Sequence, residues 1–108
     1  MPDKFQNSDS LFDWDDANIS HIARHAIAKE EAEQLLLSDP FEVNFDPDLN
    51  GEPRWTYLGE TTQGRILTVV ITMRGAKMRV VTAYDAEKLD KILYMETKAE
   101  WHDGFESS

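Results

Sequence analysis

The sequence predicts an α+β fold in which two N-terminal helices and one C-terminal helix pack on an antiparallel sheet. Three observations lead to this prediction. Apolar residues recur three and four apart in some segments, as on one face of a helix, and alternate with polar residues in others, as in half-buried strands. Short turns that contain glycine separate the strand-like segments, which favours antiparallel hairpins. With 108 residues, the chain has room for one such domain.

The N-terminal elements are a short strand and two helices. Leu11–Trp14 predicts the short strand. A helix is predicted over Asp16–His25, because an apolar stripe follows aspartates that can cap it. A second helix is predicted over Lys29–Leu37, and Pro40 lies just beyond its end. Its predicted buried face consists of Ala32, Leu35 and Leu36.

The middle of the chain predicts most of the sheet. Phe41–Phe45 alternates apolar and polar side chains and predicts a half-buried strand, while Asp46–Gly51 has the composition of a turn. A three-strand meander follows, with strands predicted at Arg54–Thr61, Arg65–Met73 and Lys77–Ala83. Its second strand is apolar on both faces apart from one threonine, so it is expected to lie centrally with cover on each face.

A last helix and two tails complete the predicted organisation. The helix is predicted over Ala86–Lys98, with Leu89, Ile92, Leu93 and Glu96 on one stripe. Residues 1–10 are polar and lack periodicity, which predicts a flexible tail. The chain is therefore predicted to be one domain over residues 11–98, between this tail and a C-terminal tail at 99–108.

Composition bounds the kind of protein that this chain can be. It contains no cysteine, which excludes disulfides and cysteine-rich metal sites. The hydrophobic share of 41% is enough for one core, so a wholly disordered chain is not expected. We find neither an apolar stretch of the ~18–20 residues that cross a bilayer nor the apolar segment of a secretory signal. A cytoplasmic protein is therefore expected.

Charge is distributed unevenly along the chain. The 21 acidic residues and 11 Lys and Arg give a net charge of −10, which suits a basic partner. Residues 1–53 carry −10 and residues 85–108 carry −4, whereas residues 54–84 carry +4. Local charge rather than net charge decides what a surface attracts, so the cationic centre is a candidate site for a polyanion.

A series of short motifs runs along the chain from about Phe12 to Lys98. The first are Phe12-x-Trp14-Asp15, Arg24-His25, Glu31-Ala32 and Pro40. The central ones are Gly51-Glu52-x-Arg54, Leu58-Gly59, Gly64-Arg65-x-Leu67-x-Val69-Val70 and Thr72-x-Arg74-Gly75. The last are Arg79-Val80-Val81-Thr82-Ala83 and Tyr94. In this order and together, the motifs resemble those of the BrnT family.

The resemblance implies a RelE-like ribonuclease fold and the toxin half of a type II toxin–antitoxin pair. The implied activity is metal-independent endonucleolytic cleavage of messenger RNA, with no cofactor, which slows growth. The implied partner is an antitoxin with a ribbon-helix-helix DNA-binding part that neutralises the toxin. A dimer and a toxin–antitoxin hetero-oligomer are both compatible with it. One departure is that Tyr84, followed by Asp85, stands where the family usually has arginine.

Candidate site residues supply the groups that a metal-free ribonuclease needs. These groups are a base for the 2′-hydroxyl, cations for the phosphate and an acid for the leaving oxygen. Histidine accepts and donates protons near neutral pH, and arginine binds phosphate through two donors. We predict that the catalytic residues are His25, Arg79 and Tyr84. We predict that RNA is bound by Arg24, Arg54, Arg74 and Lys77.

Structural roles stay open for several of these residues. His25 can interact with the dipole of its helix, Arg74 can be a solvated turn residue, and Tyr84 can be a packing residue. Arg79 can pair with an acid on the first or second helix. Because side chains alternate along a strand, Arg79 and Tyr84 are expected on opposite faces unless a bulge or the strand end turns one of them.

A second function also stays open, in which the fold persists without catalysis. In this alternative a BrnT-like binding module uses its acidic surface to engage a basic protein, and the tyrosine at position 84 favours it. Glu30, Glu31 and Glu33 are then either a solvated helix face or part of a binding face for the antitoxin. His21 and His25 are spaced like zinc ligands, but no third ligand is evident, so no metal site is predicted.

Overall fold

The computed structural model describes residues 11–106, so the predicted tail at residues 1–10 lies outside the described residues. Within this range the predicted α+β class is confirmed, with three helices and four strands. The helices are α1 (Asp16–Ala23), α2 (Lys29–Leu37) and α3 (Lys88–Glu106). The strands are β1 (Phe41–Leu49), β2 (Glu52–Glu60), β3 (Ile66–Arg74) and β4 (Lys77–Asp85).

The strands form one antiparallel sheet in the order β1-β2-β3-β4. The predicted meander is confirmed as β2, β3 and β4, and β1 extends it by pairing with β2. β1 runs further than predicted, so that the turn is formed by Asn50 and Gly51, with φ of 55° and 87°. Positive φ suits these two residue types, and Pro47 is tolerated because β1 is an edge strand.

Helices α1 and α2 cover one face of the sheet. Leu35 of α2 and Ile22 of α1 are completely buried, and Ile27 between the helices is 2% exposed. They pack against the alternating apolar residues of the two last strands, which are Leu67, Val69, Ile71, Val80 and Ala83. Gly59 of β2 lies under Leu35, where an added Cβ would be 2.6 Å from Leu35 Cγ. The main core therefore lies between this face and the two N-terminal helices.

Helix α3 covers only one end of the opposite face. Tyr94 is 6% exposed and forms a small apolar cluster with Leu58 and Ala86. The apolar stripe predicted for this helix points away from the sheet instead of into a core. Leu89, Ile92 and Leu93 are 78%, 43% and 49% exposed, respectively. Tyr94, on the other side of the helix, makes the packing contact.

The predicted N-terminal strand is present as a single bridge. Phe12 pairs in parallel with Met78 of β4, and the Asp13 N–H donates to the Met78 carbonyl at 2.8 Å. The Asn18 amide then donates to the Asp13 and Val80 carbonyls, both at 3.0 Å. These bonds hold the start of α1 against β4.

Two helix ends differ from the prediction. α1 ends at Ala23 rather than His25, and the chain turns back through Ala26, which has a φ of 60°. α3 continues past Lys98 to Glu106, and no proline interrupts residues 99–106. Much of the predicted C-terminal tail is therefore helical. In the part of the chain that the structure covers, no helix has the length and apolar character needed to cross a membrane.

Replacing Ala26 with glycine is expected to raise the free energy of unfolding by about 0.5–1 kcal/mol. An L-residue in the left-handed region loses ~1–2 kcal/mol, and the greater chain entropy of unfolded glycine cancels part of that gain. Urea unfolding measures the difference, provided that the m value, the slope of the unfolding free energy against urea concentration, is unchanged. The matched control is Ala23→Gly in the last turn of α1, which should lose about 1 kcal/mol. Equal stability of Ala26→Gly and wild type would contradict the expected strain.

Candidate functional site

A bulge in β4 brings Arg79 and Tyr84 to the same face of the sheet. Val70 pairs with Thr82 and the next residue, Ile71, pairs with Val80, so Val81 is an extra residue in β4. One extra residue reverses the alternation of side chains beyond it. The five-residue spacing from Arg79 to Tyr84 would otherwise place them on opposite faces. From the sequence, either a bulge or the strand end could bring the two side chains to one face, and the structure contains the bulge.

Three arginines converge on this open face, at the end that α3 does not cover. Arg79 pairs across the sheet with Thr72, and Arg54 lies on the other side of Thr72, next to the Trp55–Ile71 pair. Arg74 lies one row further along β3. The three side chains line a cavity of about 230 Å³ together with His21 of α1. We call this cavity, lined by His21, Arg54, Arg74 and Arg79, the arginine groove.

Each arginine of the groove has an acidic neighbour. Arg79 Nη1 lies 3.1 Å from Asp15 Oδ2 and 3.5 Å from Asp13 Oδ2, just before α1. The hydrogen bond from Arg79 lowers the pKa of Asp15 below its ordinary value of 3.8, and the same bond raises the pKa of Arg79. Arg79 thus pairs with acids, but they lie just before α1 and not on the first or second helix, where the alternative placed them.

Glu52 lies between the other two arginines. Its Oε2 is 3.8 Å from Arg54 Nη2 and 3.5 Å from Arg74 Nη2. Arg54 Nε is buried and, within the described residues, has no hydrogen-bond partner. A buried donor without an acceptor is costly, and only a movement of the Arg54 side chain would bring this nitrogen to a ligand in the groove. Arg74 is half exposed, which agrees with the solvated turn position expected as an alternative.

A row of rings leads from the groove to Tyr84. His21 Nε2 is 3.1 Å from Thr82 Oγ1. The His21 and His25 rings have centroids 5.8 Å apart, and the His25 and Tyr84 rings 6.2 Å apart. His25 and Tyr84, two of the residues for which we predict a catalytic role, therefore lie side by side, whereas His21 is the histidine that lines the groove. In the sequence, His21 stands out only as a possible zinc ligand; its position four residues before His25 was the signal that the two rings could lie on one side of the chain.

Two predicted RNA-binding residues lie outside the groove lining. Arg24 is the exposed C-cap residue of α1, and its backbone N–H donates to the end of that helix. Lys77 is exposed at the first position of β4, where it pairs across the strands with Arg74. Lys77 is therefore a neighbour of the groove, while Arg24 lies at the far end of α1 from Asp15.

Arg65, which the sequence reasoning did not select, holds the α1–α2 connection to the sheet. Its Nη1 donates to Glu31 at 3.0 Å and to the Ala26 carbonyl at 2.8 Å, and its Nε donates to Asp85 at 3.1 Å. Partial burial opposes the charge, but the hydrogen bonds that Arg65 donates to Asp85 and Glu31 raise the pKa of Arg65. Asp85, the acid that follows the unusual Tyr84, therefore has a structural partner at the rear of the site.

The predicted acidic face of α2 is also partly engaged within the protein. Besides its pair with Arg65, Glu31 accepts the Ala28 N–H at 3.0 Å, and Glu33 accepts the Trp14 indole N–H at 2.8 Å. Glu30 remains exposed. Among the described residues, no three His, Asp or Glu side chains are grouped as a metal site would require. The arginines of the groove can bind an anion, and His21 can transfer a proton there.

Comparisons with known proteins agree with this fold. A family model described as ribonuclease toxin, BrnT, of type II toxin–antitoxin system matches residues 14–90. The crystal structure of the Brucella abortus ribonuclease toxin BrnT is similar, at 20% identity and a TM-score of 0.54, over 72% of this chain and 97% of that chain. No curated protein matches significantly. Because the family model covers well over half of the sequence, the chain belongs to the BrnT family of ribonuclease toxins of type II toxin–antitoxin systems.

Proposed function

We propose that the protein is a metal-independent endoribonuclease that cleaves messenger RNA in the cytoplasm. The observation that carries this proposal is the convergence of Arg54, Arg74 and Arg79 with His21 on the open face of the sheet. Guanidinium groups bind phosphate through paired donors, and a groove that contains several of them stabilises the extra negative charge of the transition state. Membership of the family implies an RNA substrate and an antitoxin partner.

The proposed reaction is an internal transfer at the phosphate. The 2′-hydroxyl attacks the adjacent phosphorus, its proton passes to an imidazole, and the 5′-oxygen leaves with a proton from an acid. Arg79 and Arg54 hold the non-bridging oxygens, since both line the groove. His25 and Tyr84 act as the predicted base and acid, and His21 is an additional candidate for either step because it lines the groove. Arg24, Arg74 and Lys77 contact neighbouring phosphates.

Acidic neighbours in the groove have a role in this proposal. Asp13 and Asp15 hold Arg79 in place while the groove is empty. An RNA phosphate then competes with these carboxylates for the guanidinium. Because both carboxylates lie near the protein surface, water can solvate them when the phosphate takes their place.

The proposal is tested with purified protein and a structured messenger RNA in the presence of EDTA. We expect cleavage to continue at the same rate in EDTA, and to yield cyclic phosphate ends. His21→Ala and His25→Ala are compared with wild type, and the larger loss identifies the main proton-transfer residue. Intact RNA with folded wild-type protein, together with normal growth of bacteria that express it alone, would contradict the proposal.

The proposed partner is an antitoxin with a ribbon-helix-helix part. A basic DNA-binding protein is favoured by the net charge of −10 on this chain. The two proteins would form a hetero-oligomer in which the antitoxin inhibits the toxin. Co-expression with the protein encoded beside it is expected to restore growth.

A second candidate function is a binding module without catalysis. Its supporting observation is that Asp13, Asp15 and Glu52 already neutralise the three arginines of the groove. In that case RNA would remain intact and bind weakly, while a basic protein would still bind. The cleavage assay above separates the two functions.

A further inference from the structure

The outer face of α3 is an apolar surface that no other part of the described chain covers. Leu89, Ile92 and Leu93 are 78%, 43% and 49% exposed, and Met95 beside them is 61% exposed. At 3.6 residues per turn, Leu89, Ile92 and Leu93 form a stripe that is centred on the side of the helix away from the buried Tyr94, and Met95 lies on the flank of this stripe. Adjacent large apolar side chains that are left exposed on a helix mark a site of protein interaction.

The shared fold does not account for this surface. The family match ends at residue 90, whereas α3 continues to Glu106. Within the described residues, α3 packs on the sheet mainly through Tyr94, which lies against Leu58 and Phe41. The spacing of Leu89, Ile92 and Leu93 is that of a seam between two helices. Most of α3 is thus an extension whose apolar seam has no partner among the residues that the structure describes.

Charge indicates which partner fits the seam. Glu96 lies on the same stripe, one turn after Ile92 and Leu93, and Glu100 follows one turn later; both are exposed. A second copy of the chain would bring two Glu96 side chains to one seam and place two molecules of net charge −10 together. A basic partner instead supplies Lys or Arg to these carboxylates, which favours association and its rate.

We propose that the outer face of α3, formed by Leu89, Ile92, Leu93 and Glu96, binds an amphipathic helix of the antitoxin. The apolar side of that helix packs on the three aliphatic residues, and a Lys or Arg at its edge pairs with Glu96. This inference rests on the proposed function for the existence of the antitoxin, and adds where and by what chemistry it binds.

The position of α3 relates this docking surface to neutralisation. α3 covers the Leu58 end of the same face of the sheet that bears the arginine groove. Leu58 and Arg54 are four residues apart on β2, or about 13 Å along the strand. A partner anchored on α3 therefore lies next to the groove, and a further segment of it can block access for RNA.

The experiment measures binding of the purified basic protein encoded beside this gene, by calorimetry. Ile92→Gln/Leu93→Gln is expected to weaken binding about 30-fold, as for paired apolar residues at the centre of an interface. Glu96→Lys is expected to weaken it about tenfold, with a smaller loss at high salt. The matched controls are Val43→Gln and Glu42→Lys on the exposed edge strand β1, which should stay within about twofold of wild type.

Two readouts keep the inference separate from the proposed function. The α3 variants should unfold at the wild-type temperature, because the replaced side chains are exposed, and should cleave RNA at the wild-type rate when the partner is absent. If the protein cleaves RNA but the α3 variants bind the partner as tightly as wild type, the docking site alone is overturned. If the α3 variants bind the partner more weakly but no form of the protein cleaves RNA, only the ribonuclease proposal is overturned. Light scattering that shows a dimer of the free protein, made monomeric by Ile92→Gln/Leu93→Gln, identifies a second copy as the occupant and also overturns the inference.

Discussion

RNA cleavage is expected to fall about 100-fold or more when Arg79 is replaced by alanine, because loss of one preorganised donor to a developing oxyanion costs about 2.7–4 kcal/mol. Arg79 is the most buried arginine of the groove, with 15% of its side chain exposed, and it lies between His21 and Arg54. Arg79→Lys keeps the charge but loses the planar pair of donors, so a smaller loss is expected. Single-turnover cleavage of a labelled RNA measures both.

The control for this prediction separates the loss of chemistry from loss of structure. Lys91→Ala removes an exposed charge on α3, away from the groove, and should leave the rate within about twofold of wild type. Arg79→Ala also leaves Asp13 and Asp15 without their cation, so its stability is measured by urea unfolding and the assay is run where the variant is folded. A folded Arg79→Ala variant with the wild-type rate would contradict the proposed role.

The largest expected effect on stability comes from Gly59→Ala, which should lower the free energy of unfolding by about 2–3 kcal/mol. Gly59 is buried in β2, and an added Cβ would lie 2.6 Å from Leu35 Cγ, with both Cδ atoms within 3.3 Å. Leu35 has no exposed surface and so cannot move outward without opening the main core. Gly59→Ala should weaken the packing of the whole of α2, because Leu35 is one of the two buried residues of that helix. Urea unfolding of the two proteins measures the difference.

A double mutant tests whether this close approach is the cause. Leu35→Ala alone is expected to cost about 2–5 kcal/mol, because it leaves a cavity. When Gly59→Ala is added to Leu35→Ala, the new methyl group occupies part of that space. The combined cost should therefore be at least about 1 kcal/mol below the sum of the two single costs. Strictly additive costs would show that the destabilisation by Gly59→Ala has another origin.

The elements that the sequence predicted well are those with a strong local signal. α2 has the predicted bounds, since its apolar spacing and the following Pro40 are both local features. β3 and β4 begin within one residue of prediction, because Gly64 and Gly75 terminate the preceding segments with φ of 83° and 63°. The end of α1 was less predictable, since Ala26 takes the left-handed conformation that glycine usually adopts.

The site was only partly predictable from the same information. Arg54, Arg74 and Arg79 were selected for their charge within the cationic segment, and they lie together. His21 was not selected as a site residue, because its position in the groove depends on how α1 lies against β4. The orientation of α3 was likewise not evident, since a stripe of Leu89, Ile92 and Leu93 has the same spacing whether it faces the core or a partner.

By itself the sequence determined the α+β class, the order of the elements and the cationic character of the central strands, because periodicity and charge are properties of neighbouring residues. The tertiary structure alone decided that the bulge at Val81 turns Tyr84 toward the face of Arg79, that acids from outside the sheet neutralise that arginine, and that α3 is attached by Tyr94 with its apolar side outward. Each of these depends on strand register or on helix placement, which are set by contacts between residues far apart in the chain.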